Sequence, residues 1–200
     1  MNKLTKIYPT IGVCGLDCGL CPRYYIVGPS RCPGCCGPDF FNKHPSCSFI
    51  TCCVKKKKLE VCAECSEFPY PKFKSDEEYQ QLEQSSSYPP DRKVISNLNF
   101  IKKHGIKKFI NQQEKRIRLL ETMLDNYNDG RSKSFFCKAA ALLDLTSLEN
   151  SLCDTSRKIE TNNIKSNDPK TKARILKSIL NEFTFKEGIE LSKKRRSSQV

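Results

Sequence analysis

The stretch CGLDCGLCP, Cys14 to Pro22, places three thiols within eight residues. Further on stand Cys32, Cys35 and Cys36, a lone Cys47, the pair Cys52-Cys53, and Cys62 with Cys65. Thiols this dense can form disulfides, a redox pair, a zinc site or an iron–sulfur cluster. Three C-x2-C pairs, Cys18/Cys21, Cys32/Cys35 and Cys62/Cys65, favour metal. In such a turn both sulfurs reach one ion, and turn amides donate hydrogen bonds to the thiolates. Three such pairs within about fifty residues are a far stronger signal than one.

The compartment implied by the sequence points the same way. The start, MNKLTKIYPTIGV, lacks the apolar stretch and small-residue cleavage site of a secretory signal. No apolar run approaches the roughly 18 residues of a membrane span. A cytoplasmic location is expected, where thiols stay reduced and clustered cysteines are metal ligands or catalytic groups. The odd cysteine total of 13 also counts against a disulfide framework. Zinc closes its structural sites with four ligands, and iron–sulfur clusters use thiolates at the same spacing. Both remain open, with about two zinc ions as the first expectation and a 4Fe-4S cluster as the alternative. The C-x3-C-x2-C of Cys14, Cys18 and Cys21 also occurs in radical S-adenosylmethionine enzymes, but the alternating strands and helices those enzymes need do not follow. A thioredoxin-like reading lacks its βαβ pattern.

These motifs resemble the domain-of-unknown-function 3795 family of bacterial and archaeal cysteine-rich proteins. The resemblance rests on CGLDCGLCP, on CPGC at Cys32 to Cys35, on CSFITC at Cys47 to Cys52, and on VCAECSEFP at Val61 to Pro69. It extends through NLNFIKKHGIKKFINQQEKR and YNDGRSKSFFCKAAALL, and so covers roughly residues 12–150. The family has no established activity. The resemblance implies a cysteine-bound metal held by Cys14, Cys18, Cys21, Cys32, Cys35, Cys47, Cys52, Cys62 and Cys65. Many members carry a further cysteine after Phe-Pro, where this chain has Tyr70.

The expected fold class is a small irregular cysteine-rich metal-stabilised lobe followed by an all-α helical region. Residues 1–74 form the lobe, 75–90 a linker, 91–187 the helical region and 188–200 a basic tail. Glycine and proline punctuate the lobe, which shows neither helical nor strand period. Something other than an apolar core must order it. Phe40, Phe41, Phe49, Ile50, Phe68 and Phe73 can supply a small cluster around the metal. Beyond Pro90, apolar residues recur at helical spacing in five runs. Val94 to Ile101 ends at His104-Gly105, and Ile106 to Leu124 ends at Asn128-Asp129-Gly130. Ser134 to Leu143 follows, then a helix opened by a capping box at Thr146-Ser147-Leu148-Glu149 and running to Ile159. The last begins at Asp168-Pro169.

The formal charge is +13, of which +6 lies in residues 1–74 before any thiolate is counted. Lys55 to Lys58, Lys72, Lys74 and the tail Lys193 to Arg196 could meet phosphate backbones, and Tyr24, Tyr25, Phe40, Phe41 and Phe49 could stack on bases. The plainer reading is a solvated loop that screens thiolates, and rings that fill a small core. An unidentified protein or nucleic acid is the partner these features allow. His44 is a candidate substitute ligand. Asp17 has no histidine or serine arrangement beside it, and no catalytic constellation is found anywhere in the chain. Cys137, on an alanine-rich helix, reads as a core residue, and Cys153 as structural.

Overall fold

The computed structural model describes residues 6–44, 47–69, 93–163, 168–189 and 191. The expected linker at 75–90, most of the basic tail, Tyr70, Lys72, Phe73 and Lys74 lie outside the described residues. Within them the chain is helical and contains no strand. Two short helices, α1 (Phe40–Lys43) and α2 (Ser48–Ile50), precede the long ones. These are α3 (Val94–His104), α4 (Ile106–Tyr127), α5 (Lys133–Leu142), α6 (Leu145–Thr161) and α7 (Pro169–Lys186). The chain divides into two compact units, Met1–Arg118 and Leu119–Val200, so the boundary falls inside α4.

In the first unit, the backbone of residues 7–13 is the organising element, although it has no regular structure. Glu60 accepts hydrogen bonds from the amides of Ile7 and Tyr8 at 2.8 and 3.2 Å. Pro9 O accepts from Cys35 N, Thr10 O from Gly19 N, and Val13 O from Cys62 N, at 2.7 to 2.8 Å. Three separate cysteine-bearing segments are thus tied to one short run of chain. Ile11 and Val13 anchor that run in a core shared with Phe40, Ile50, Val61 and Phe68, and with Leu98, Ile101, Phe109 and Ile110 from α3 and the start of α4. Cys35, Cys36, Cys53, Cys62 and Cys65 are buried in the same core. Of the phenylalanines expected to cluster here, Phe40 and Phe68 are buried, Phe49 partly so, and Phe41 stands 46% exposed.

The helices of the second unit follow from their apolar spacing. Leu120, Met123, Phe136, Leu143, Leu148, Leu176 and Leu180 are each fully buried. Cys137 is buried beside Ala139 and Ala140, where its small volume suits close packing, and Cys153 is exposed. Gly105, with a positive φ of 84°, makes the corner between α3 and α4, a conformation that disfavours side chains with a Cβ.

The start of α6 differs from the sequence expectation. The capping residue is Asp144, not Thr146. Its carboxylate accepts from Ser147 N at 2.7 Å and from Ser147 Oγ at 2.9 Å, so the helix opens at Leu145. A carboxylate outcompetes a hydroxyl for the unpaired amides of the first turn and also meets the positive end of the helix dipole. These bonds hold the Asp144 carboxyl below its ordinary range. D144A is expected to cost about 1 kcal/mol, seen as an earlier urea midpoint for the helices of the second unit.

Candidate metal centre

The first unit contains a half-open pocket of about 520 Å³. Six of the nine cysteines singled out above, Cys14, Cys18, Cys21, Cys32, Cys35 and Cys47, line it together with His44 and Arg23. They arrive from distinct local structures. A one-turn 3-10 helix, Cys18–Leu20, carries Cys18, and Cys21 caps it through a bond from its N–H to Cys18 O. Cys32 is fixed by its amide on Arg23 O at 3.0 Å, and Cys35 by its amide on Pro9 O. Cys47 is the N-cap of α2, and His44 closes α1.

Glycine makes this convergence possible. Gly15 has φ of 92°, and a Cβ there would lie 2.4 Å from Val94 O at the start of α3. Gly34 has φ of 81°, and its Cβ would lie 2.3 Å from Pro9 O. Both positions need a left-handed backbone and have no room for a side chain.

Cys52, Cys62 and Cys65 do not line this pocket. Cys62 and Cys65 bracket a second 3-10 turn, Cys62–Glu64, and are buried. Cys65 Sγ accepts a hydrogen bond from Lys57 Nζ at 3.2 Å, and Lys57 also pairs with Glu67 at 2.6 Å. Cys52 lies half-buried in a π-helical turn, Thr51–Lys56, and its neighbour Cys53 points inward instead. Cys53 Sγ hydrogen-bonds with Cys62 and reaches Leu59 O at 3.4 Å. None of the thirteen cysteines is in a disulfide.

The electrostatics of the pocket are those of crowded thiols. Burial pushes Cys14 up to about 12 and Cys18 well above its ordinary value, and the neighbouring sulfurs push both in the same direction. Cys35 moves the opposite way, to about 6, chiefly because Cys36 gives it a hydrogen bond. Lys6, itself buried, donates to Ile11 O and lends its charge to Cys35, Cys36 and Cys53. His44 is held below its ordinary value by burial and by the charges of Arg23 and Lys43. Both effects favour the neutral ring.

Seven soft or borderline donors on one wall are the chemistry a thiophilic metal requires. Deprotonating several of them together would gather like charges that a cation relieves. In this respect the residues fit a metal. The donors are spread around the wall of the pocket. Among the described residues, no three His, Cys, Asp or Glu groups are gathered closely enough to hold an ion as they stand.

Asp17, between Cys14 and Cys18, is fully buried. Gln113 Nε2 donates to its Oδ1 and to Thr10 O at 2.9 Å, linking α4 to the cysteine loop. Sequence reasoning had no means of pairing these two, which are 96 positions apart. Burial raises the Asp17 carboxyl from 3.8 to about 6. The folded chain therefore binds this proton more tightly than the unfolded chain. The stability it confers is complete below pH 3.8, declines as pH rises through 6, and is gone above that. D17N is expected to flatten this window. Between pH 4 and 7 the variant gains on the native chain by on the order of 2 kcal/mol, read from urea unfolding at each pH.

No family model, curated protein or solved structure matches this chain.

Proposed function

We propose that this chain is a cysteine-rich metal-binding protein whose first unit is ordered by thiolate-held zinc, about two ions per chain, and serves as an interaction module. One observation carries the reading: six cysteines from separate local structures line a single pocket with a histidine. Zinc is redox-inert and coordinates thiolate and imidazole in closed tetrahedral sites. That role suits residues 6–69, whose regular elements are at most six residues long. Cys14, Cys18 and Cys21, with Cys62 in electrostatic reach of Cys14, would serve the second ion.

A second reading has its own support. A pocket of 520 Å³ with donors around its wall also suits a cluster, which needs its ligands around a volume rather than a point. The chain would then have a redox or electron-transfer role. For either centre, exposed Lys55, Lys56, Lys58, Arg23 and Arg31 favour an acidic partner, a protein or a nucleic acid. Among the described residues no helix is long and apolar enough to cross a membrane.

Elemental analysis of anaerobically purified chain separates the two readings. Colourless protein with about two zinc per chain supports the first. Brown protein with iron, sulfide and broad visible absorption replaces it with the second. Protein with neither metal would falsify both. A nucleic-acid partner predicts an affinity that falls steeply with salt.

A further inference from the structure

His44 has a place in the pocket that its isolation in sequence conceals. Its Nε2 lies 3.3 Å from Cys32 Sγ. Two donors on one tetrahedral ion, at about 2.3 Å for sulfur and about 2.0 Å for nitrogen, stand roughly 3.5 Å apart. The observed separation is close to that span. The ring is also held in place. It stacks on the buried Phe40 ring at 4.4 Å between centroids and 13° between planes. Its backbone N–H bonds to Phe40 O at 3.0 Å, closing α1. The spacing of His44 to Cys47 is H-x2-C, matching the C-x2-C of Cys32 and Cys35, and all four residues line the same pocket.

We propose that His44 is a metal ligand, joining Cys32, Cys35 and Cys47 in a mixed Cys3His site. This rests on the metal-binding reading above and deepens it. An imidazole in the set lowers the charge of the filled site by one unit relative to four thiolates. The remaining wall cysteines, Cys14, Cys18 and Cys21, come from a separate loop and are left for the second ion. Among the described residues the four proposed ligands share one pocket without standing close enough to grip an ion, so binding would draw them together.

The test is metal-edge X-ray absorption on the full-length chain, purified anaerobically with whatever metal it carries, and on H44A and H44C. The native chain is expected to show imidazole scattering in a sulfur-rich shell. The only other histidine is His104, so loss of that signature in H44A assigns it to His44. H44C should keep the native metal content with an all-sulfur shell. In competition with a chromogenic chelator, H44A should hold zinc at least about tenfold more weakly. An all-sulfur shell in the metal-loaded native chain overturns the proposal and leaves the metal-binding reading intact. It would mean that His44 only hydrogen-bonds to the Cys32 thiolate. Imidazole scattering that persists in H44A overturns it as well. A native chain that carries no metal removes the metal-binding reading itself.

Discussion

Stripping metal from the reduced chain is expected to unfold residues 6–69 while the helices of the second unit persist. The argument is one of magnitudes. Structural zinc contributes about 10 kcal/mol or more to small thiolate-bound modules. A whole domain has a net stability of only about 5–15 kcal/mol. The segment has little to set against that loss. Its longest regular element is the six-residue turn Thr51–Lys56, and isolated helices under about 12 residues are marginal in water. Its own core is small, with five cysteines beside Ile11, Val13, Phe40, Ile50, Val61, Ala63 and Phe68, and it leans on Leu98, Ile101, Phe109 and Ile110 from α3 and α4. Amide exchange measured before and after chelation, with a reductant present throughout, is the direct measurement. Protection should vanish at the amides of Gly19, Cys35 and Cys62, and remain in α5, α6 and α7. If residues 6–69 keep their protection with all metal gone, metal does not order this segment.

Gly15→Ala and Gly34→Ala are expected to abolish the centre without touching a ligand. Each adds a methyl carbon well inside contact distance of a backbone oxygen, 2.4 Å from Val94 O or 2.3 Å from Pro9 O. A backbone oxygen cannot swing aside as a side chain can. Each also forces a positive φ on a residue that disfavours it. Strain of about 1–3 kcal/mol from the backbone adds to about 1–3 kcal/mol from overpacking. Relief requires moving the Cys14 loop off α3, which breaks the bond from Asn97 Nδ2 to Gly15 O at 3.0 Å. In Gly34→Ala the lost anchor is Cys35 N on Pro9 O. Metal content per chain should fall in both variants, with a lower melting temperature. Gly28→Ala is the control, since nothing lies within 4 Å of its Cβ, so that only its φ of 102° is strained. Native metal content in Gly15→Ala would show that this close approach does not position the thiols.

The helices were readable because apolar residues at i, i+3 and i+4 report burial directly. Val94, Leu98 and Ile101 illustrate this, and all three are buried. The Gly105 corner and the Asp168-Pro169 start were readable for a similar local reason. The grouping of the cysteines was not. Spacing identifies pairs that can grip an ion, but which pairs meet is decided by the backbone of residues 7–13. Carbonyls carry no side-chain signature, and Glu60, which holds the start of that run, is one acidic residue among many. His44 was legible only as a neighbour of Cys47, because a single histidine has no period to betray it. The vicinal pair Cys52-Cys53 shows the same limit. The π-helical turn widens the local repeat, so Cys53 points inward and Cys52 stays half-buried.

The burial of Cys14 and Cys18 has an effect that reaches outside the molecule. Thiols pushed up this far keep their hydrogen in neutral solution, whereas only the ionised sulfur can grip an ion. Filling the pocket with the proposed metal would therefore release acid into the surroundings. A weakly buffered sample will drift downward in pH as it is loaded. Run in reverse, the same equilibrium lets an acidified medium draw the ion out with no chelator present.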